Sequence, residues 1–156
     1  MTIDWQKVIS DFNGRWEMCY GCGQKNPIGL KLEFRWDGKG ARAQFTPRKE
    51  HQGWPGILHG GIMANIIDEA ASWALYFEGL YVVTAKMEIL YRHPATVNDT
   101  LSIESDVILK KKKTFQALTR ITTKDGTVIA EGKSLHVDVD HKPELKSKYR
   151  MNPWPE

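Results

Sequence analysis

The amino-acid sequence predicts an α+β fold in which a curved antiparallel sheet wraps around one long buried helix. The segment Ile62–Phe77 is rich in alanine, lacks glycine and proline, and is apolar on almost every side, as is typical of a buried helix. Two strand-like runs precede it and four follow it. Because a flat sheet cannot cover a helix that is apolar nearly all round, the sheet must curve around it.

The strand-like runs are recognised by alternation and by the turns between them. Leu30, Leu32 and Phe34 alternate with polar residues, and Asp37-Gly38 turns the chain into a second strand. Asp125-Gly126 predicts a hairpin between the last two strands. The predicted strands are Leu30–Arg35, Ala41–Phe45, Tyr81–Arg92, Leu101–Lys110, Thr114–Thr123 and Val128–Val139.

Size and composition are those of one soluble domain, with 156 residues, 41% of them hydrophobic. A net charge of +3 is too small to predict a nucleic-acid partner, and no apolar run is long enough to cross a membrane. The N-terminus lacks a basic start and an apolar stretch, so we expect no secretory signal and a cytoplasmic location. We expect an N-terminal helical segment (1–18), the main domain (19–140) and a C-terminal tail (141–156).

His59-Gly60-Gly61 stands at the start of the predicted helix, where glycines leave the first backbone N–H groups accessible. These amides, with the positive end of the helix dipole behind them, attract an oxygen that carries negative charge. In acyl transfer, that oxygen is the carbonyl oxygen as it becomes an oxyanion. Close packing at the helix entry is the alternative reason for the glycines, and the motif alone does not decide between the two.

Asp68 favours the catalytic interpretation. It lies seven residues after Gly61, so both face the same side of the helix, together with Asn65 and Ser72. A carboxylate on this narrow polar stripe is partly shielded from water, which makes it a better base or nucleophile. Glu69 points about 100° away and is the second choice. The alternative is a structural Asp68 paired with the backbone or with Asn65.

The rise of the helix separates the two halves of this candidate site. From Gly60 to Asp68 the helix advances about 12 Å, so a carbonyl carbon next to Asp68 is too far from the Gly61 amide of the same chain. If both groups act on one carbonyl, they must belong to different subunits. We therefore predict a homodimer with two equivalent sites, which a dimer of dimers would also contain.

Cys19 and Cys22 form a lone CxxC. A zinc site needs two further ligands, and no second CxxC or close histidine pair supplies them. A thioredoxin-like redox role needs the motif at the start of a helix, but here a loop with glycines and a proline surrounds it. The sequence favours a tight turn with two reduced thiols, and it predicts neither a bound metal nor a cofactor.

Five segments, in a fixed order between Cys19 and Val139, carry a family resemblance. They are CYGCGQKNPIGL (19–30), HQGWPGILHGG (51–61), Asp68, TAK (84–86) and YRHP (91–94). Together they resemble the hotdog-fold thioesterases of the PaaI-like group and the related thioesterase-superfamily-member (THEM) enzymes. The resemblance implies hydrolysis of an acyl-CoA without a metal or redox cofactor. A non-catalytic acyl-CoA or acyl-carrier binding protein on the same fold is the alternative.

The resemblance also implies roles for individual residues. The Gly60 and Gly61 region would polarise the thioester carbonyl, while His59 would shape the loop or help to hold the substrate. Asp68 of the other subunit would activate water or attack directly.

Thr84 stands where the THEM-like branch has a threonine that positions the water. Alternation places it with Lys86, Glu88 and Arg92, so that it would meet the site only if this strand ran along the dimer seam. An ordinary strand threonine is the alternative. PaaI-type members often carry an asparagine six residues before the histidine, where this chain has Gly53, and this departure favours the THEM-like branch.

Substrate contacts are expected on the helix, on the loop before it and at basic positions. Coenzyme A carries several phosphates, so Arg92 and the lysine run 110–113 are candidates, although a solvated turn explains the lysines equally well. Segments 46–58 and 73–77 would line the acyl pocket, and their bulk favours a medium-length or aromatic acyl group. The predicted substrate-binding residues are Asn65, Glu69, His51, Gln52, Arg92 and Lys112.

Overall fold

A computed structural model describes residues 16–138 as one six-stranded antiparallel sheet and one long helix. The strands lie in the order β1-β2-β4-β5-β6-β3, so β1 and β3 are the edges. The elements are β1 (Arg35–Trp36), β2 (Gly40–Phe45), a 3-10 turn (Lys49–His51), α1 (Gly60–Tyr76), β3 (Val82–Tyr91), β4 (Leu101–Lys110), β5 (Thr114–Thr122) and β6 (Val128–Asp138). The predicted C-terminal tail (141–156) and residues 1–15 of the predicted N-terminal segment (1–18) lie outside the described residues.

The predicted fold class is confirmed, because the sheet curves around α1 and five of its strands, β2 to β6, contact the helix. Ile66, Ile67 and Ala70 are fully buried against them. At Gly132 of β6, an added Cβ atom would overlap the Ile67 side chain of α1. A glycine is therefore needed under the middle of α1. No helix within residues 16–138 is long and apolar enough to cross a membrane.

One face of α1 differs from the expectation of a helix buried all round. Asn65, Asp68, Ser72 and Tyr76 are only half-buried, and Gly61 is exposed. The reason is geometric, since a single sheet covers one side of the helix and leaves the polar stripe open. In one chain, the candidate site is therefore accessible.

For segment 30–35, the predicted alternation of buried and exposed residues is confirmed, but the prediction that the whole segment pairs as a strand is wrong. Backbone pairing with β2 is limited to Arg35–Trp36. The amides of Leu30 and Leu32 instead donate to Tyr20 O at 2.8 Å and Gly21 O at 2.9 Å, in the loop that carries the two cysteines. Leu30, Leu32 and Phe34 are buried as the alternation predicts. The segment thus fastens the cysteine loop to the core.

Candidate active site

The start of α1 has one free amide. His59 is the N-cap, and its Nδ1 accepts a hydrogen bond from the Gly61 amide at 2.8 Å, which satisfies one of the orphan donors of the first turn. Among residues 16–138, the Gly60 amide has no acceptor. The expectation that both amides are available therefore changes, because in this conformation only Gly60 presents an uncommitted N–H. Sequence reasoning missed Tyr91, whose hydroxyl donates to Gly60 O at 2.9 Å and holds the first turn in place.

Three of the predicted substrate-binding residues, His51, Gln52 and Asn65, line an open groove of about 460 Å³ together with His59 and Gly61. Their side chains differ in what they already contact. The His51 ring accepts a hydrogen bond from the Arg48 amide at 3.0 Å, and its burial lowers the pKa of the imidazole. Gln52 Oε1 accepts one from the Gly56 amide at 3.0 Å.

Asn65 is the groove residue with spare hydrogen-bonding capacity. Its Oδ1 is buried and has no donor among the described residues. A buried amide oxygen without a partner is costly, so a donor from a ligand or a water molecule would be favoured there. His51 Nδ1 and Gln52 Oε1 thus already accept hydrogen bonds from backbone amides, whereas Asn65 Oδ1 has no partner among the described residues.

Asp68 and Thr84 are in direct contact within one chain. The Thr84 hydroxyl donates to Asp68 Oδ1 at 2.6 Å. The β3–β6 register shifts between Thr84 and Lys86, so one residue of β3 bulges. The bulge moves Thr84 onto the side of β3 from which Met87 and Ile89 pack against the core. The prediction from simple alternation, that Thr84 faces away from the helix with Lys86 and Glu88, is therefore wrong.

His136 extends this contact into the sheet and was missed by sequence reasoning. It is fully buried on β6, with Nδ1 3.4 Å from Thr84 Oγ1 and Nε2 2.9 Å from Ser134 Oγ. Burial lowers the pKa of the imidazole, which favours the neutral ring. In the Nδ1–H tautomer, His136 donates to Thr84 Oγ1, and the Thr84 hydroxyl donates to Asp68 Oδ1. The only signal in the sequence is a polar pair at alternate positions of an otherwise ordinary strand.

Glu69 lies beside Asp68 but faces the cysteine loop. Its carboxylate accepts a hydrogen bond from Trp73 Nε1 at 3.2 Å, and both of its oxygens are 3.6 Å from Cys19 Sγ. Burial raises the pKa of the Glu69 carboxyl to about 7. Asp68, Glu69 and the two cysteines line a cavity of about 180 Å³, separate from the groove at the helix N-terminus. In one chain, Asp68 thus lines one cavity, and His59 and Gly61 at the start of α1 line the other.

The two basic candidates do not form one patch in this chain. Arg92 pairs with Glu131 at 2.6 Å, and Arg120 pairs with the same carboxylate at 2.9 Å. Lys112 is exposed in the turn between β4 and β5. Its neighbour Lys110 pairs with Glu78, just beyond the last turn of α1. The lysine turn therefore lies at the end of the helix opposite to Gly60.

A family model and several named proteins each match part of this chain. The model of the family described as Thioesterase superfamily matches residues 55–130, which include the start of α1, Asp68 and Thr84. Acyl-coenzyme A thioesterase THEM4 of Rattus norvegicus is 31% identical over 90 residues, 57% of this chain and 39% of that protein. Acyl-coenzyme A thioesterase 13 of Homo sapiens is 33% identical over 94 residues, 58% of this chain and 66% of that protein. The chain thus spans less than two thirds of the length of either relative.

Solved structures share the fold. Zebra fish thioesterase superfamily member 2 superposes with a TM-score of 0.71 at 21% identity, covering 87% of this chain and 99% of that one. A hypothetical thioesterase protein of Streptococcus pneumoniae TIGR4, solved with coenzyme A, superposes with a TM-score of 0.65 at 18% identity, covering 69% and 84%. With its curved sheet around α1, the chain shares the hotdog fold of these structures, and its residues 55–130 match the model of the Thioesterase superfamily.

Proposed function

We propose that this protein hydrolyses the thioester of an acyl-CoA to the free acid and CoA. The observation that carries the proposal is the 2.6 Å hydrogen bond from Thr84 to Asp68, which fixes a carboxylate on the open face of α1. The names of the relatives from rat and human support acyl-CoA as the substrate. The free thiols of Cys19 and Cys22 fit a reducing compartment, so we also propose a cytoplasmic location.

Asp68 acts on the carbonyl carbon, either through water or directly. Among the described residues, Thr84 holds Oδ1, and Oδ2 is left to take a proton from water or to attack the carbon. The carbonyl oxygen gains negative charge, which the Gly60 amide and the α1 dipole stabilise. The C–S bond then breaks, the CoA thiolate takes up a proton, and the acid is released. In the direct route, water hydrolyses an acyl–Asp68 anhydride in a second step.

The free amide and the carboxylate of one site come from two subunits in this proposal. They lie about 12 Å apart along α1. In one chain, Asp68 lines one cavity, whereas His59 and Gly61, on either side of Gly60, line the other. Within residues 16–138, β3, which carries Thr84, is an edge strand with unpaired backbone groups on one side. Leu90 and Tyr91 expose 60% and 52% of their surface near its end, which adds apolar area for pairing with a second copy. A homodimer, alone or as a dimer of dimers, would complete each site.

Free-thiol release from a panel of short, medium, long and aromatic acyl-CoAs tests the activity. We expect turnover of at least one class by the full chain, and the preferred class identifies the acyl pocket. If acyl-CoAs bind without any thiol release, the non-catalytic binding protein is the better description. A medium-length or aromatic preference would support the assignment of the bulky segments 46–58 and 73–77 to the pocket.

Replacing Thr84 by valine keeps the side-chain shape and removes the hydroxyl. We expect kcat to fall about 10- to 100-fold, as for the loss of one hydrogen bond to a charged group, with little change in KM. Thr84→Ser keeps the donor and should remain within a few-fold of the parent protein. If the valine variant keeps full kcat, Thr84 is an ordinary strand threonine.

Heterodimers test the division of the site between subunits. Asp68→Asn disables the carboxylate half, and Gly60→Pro removes the free amide. Co-expressed with different tags and purified as a mixed dimer, they should recover about half of the parent activity, because one of the two sites is then intact. A mixed dimer of Asp68→Asn and Thr84→Val, both in the carboxylate half, should show no recovery beyond the mean of its parents. No recovery in the first pair would place amide and carboxylate in the same chain.

A further inference from the structure

Three potential metal ligands meet between the cysteine loop and α1. Cys19 Sγ, Cys22 Sγ and a carboxylate oxygen of Glu69 all lie within 4.8 Å of one another. The third of them is 50 residues from Cys19 in sequence, so the CxxC alone does not show it. The fold therefore supplies one of the two further ligands that the lone CxxC lacks for a zinc site.

The cysteine loop is built to lie against Glu69. At Gly21, between the two cysteines, a Cβ atom would be 2.5 Å from Glu69 Oε2, so only glycine allows this approach without moving the carboxylate. The loop is held by the backbone bonds from Leu30 and Leu32 and by Asn26 Nδ2, which donates to Met18 O at 3.0 Å. The convergence of the three groups therefore belongs to an ordered packing arrangement.

The charges of this cluster call for a cation. Its three members each carry a negative charge when they bind a metal ion, and their ligand atoms all lie within 4.8 Å of one another. Within residues 16–138, no lysine, arginine or histidine forms an ion pair with Glu69. Acidic groups that crowd together in a largely buried place repel each other and lose hydration, and a bound cation removes both costs.

We propose that Cys19, Cys22 and Glu69 bind one divalent transition-metal ion, with Zn²⁺ as the best fit, and that this ion fastens the cysteine loop to α1 beside Asp68. Two thiolates and a carboxylate are ligands that Zn²⁺ accepts. Tetrahedral Zn²⁺, with bonds of about 2.3 Å to sulfur and 2.1 Å to oxygen, separates such ligands by about 3.5 Å. The separation of Cys19 Sγ from the Glu69 oxygens is 3.6 Å. Solvent would supply the fourth ligand, and both cysteines would bind as thiolates, so that binding releases thiol protons.

Cobalt titration of the full chain, reduced and stripped of metal with a chelator, tests this site. We expect one Co²⁺ per chain, a thiolate-to-cobalt charge-transfer band, visible bands typical of four-coordination, and displacement by Zn²⁺. The double variant Cys19→Ser/Cys22→Ser should lose the charge-transfer band. Glu69→Gln should keep this band and bind at least 10-fold more weakly. Glu104→Gln, the same chemical change on the exposed side of β4, should bind like the parent.

Two outcomes would overturn the site. One is the absence of a charge-transfer band in the reduced parent protein, a measurement that does not depend on the folding of any variant. The other is equal affinity in the parent protein and Glu69→Gln. If the isolated chain instead carries a Cys19–Cys22 disulfide and binds no metal after reduction, the pair is a redox couple. None of these readouts uses turnover, so they separate the fate of the metal site from that of the proposed thioesterase activity.

Discussion

Asp68→Asn is expected to lower kcat for acyl-CoA hydrolysis by roughly 10²- to 10⁴-fold, the usual effect of losing a general base. The substitution keeps the side-chain shape, and the amide oxygen still accepts the Thr84 hydrogen bond that Asp68 Oδ1 accepts now. A neutral amide, however, neither takes a proton from water nor attacks a thioester. Free-thiol release at saturating substrate measures the loss.

KM and the oligomeric state of Asp68→Asn should stay near those of the parent protein, because Asp68 is half-buried on an open face of α1 and carries no core packing. Glu104→Gln is the matched control, and it should retain full kcat because Glu104 is exposed on β4. Undiminished turnover in Asp68→Asn would exclude both the base and the nucleophile role.

Gly60→Pro is expected to lower kcat by about 10²- to 10³-fold, the usual cost of removing one oxyanion donor. Gly60 is the first residue of α1, and proline is well tolerated at that position because its N–H has no partner within the helix. His59, with φ −66° and ψ 134°, already has the extended conformation that a following proline requires. The substitution therefore removes one amide with little disturbance of the helix.

Gly60→Ala is the matched control, because it adds a side chain and keeps the amide. A Cβ atom there would be 3.6 Å from Tyr91, an ordinary contact, so kcat should stay within a few-fold of the parent value. Thermal unfolding of the proline variant near the parent temperature would show that α1 is intact. Equal turnover of the proline and alanine variants would mean that the Gly60 amide does not contact the developing oxyanion.

Local sequence signals predict much of the fold. The start of α1, its alanine-rich body and the Asp125-Gly126 hairpin depend on residues close together in the chain, and the structure shows all three. The prediction of a strand at 30–35 is wrong because alternation indicates which side chains are buried and does not indicate which groups the backbone bonds to. The partners of Leu30 and Leu32 turn out to be carbonyls of a loop.

The parts of the site that sequence reasoning missed depend on long-range or one-residue effects. A single bulge in β3 turns Thr84 towards Asp68, and no pattern of residues in the sequence predicts this bulge. The hydrogen bond from the Gly61 amide to His59 depends on the side-chain rotamer of His59, which the sequence does not specify. The meeting of Glu69 with the cysteines requires a loop to fold back over α1 across 50 residues of sequence. Patterns predicted which residue types would matter, and tertiary packing decided which of them touch.

The glycine under the middle of α1 links the core to the chemistry. Gly132 lets Ile67 settle onto β6, and Ile67 immediately precedes Asp68. β6 also carries His136 and pairs with β3 at Thr84. The depth at which the helix rests on this strand therefore determines how far the carboxylate stands from its hydroxyl partner. A methyl group at position 132 would push α1 away from β6. It would thereby change the distance between Asp68 and Thr84, although it lies at a position that no substrate touches.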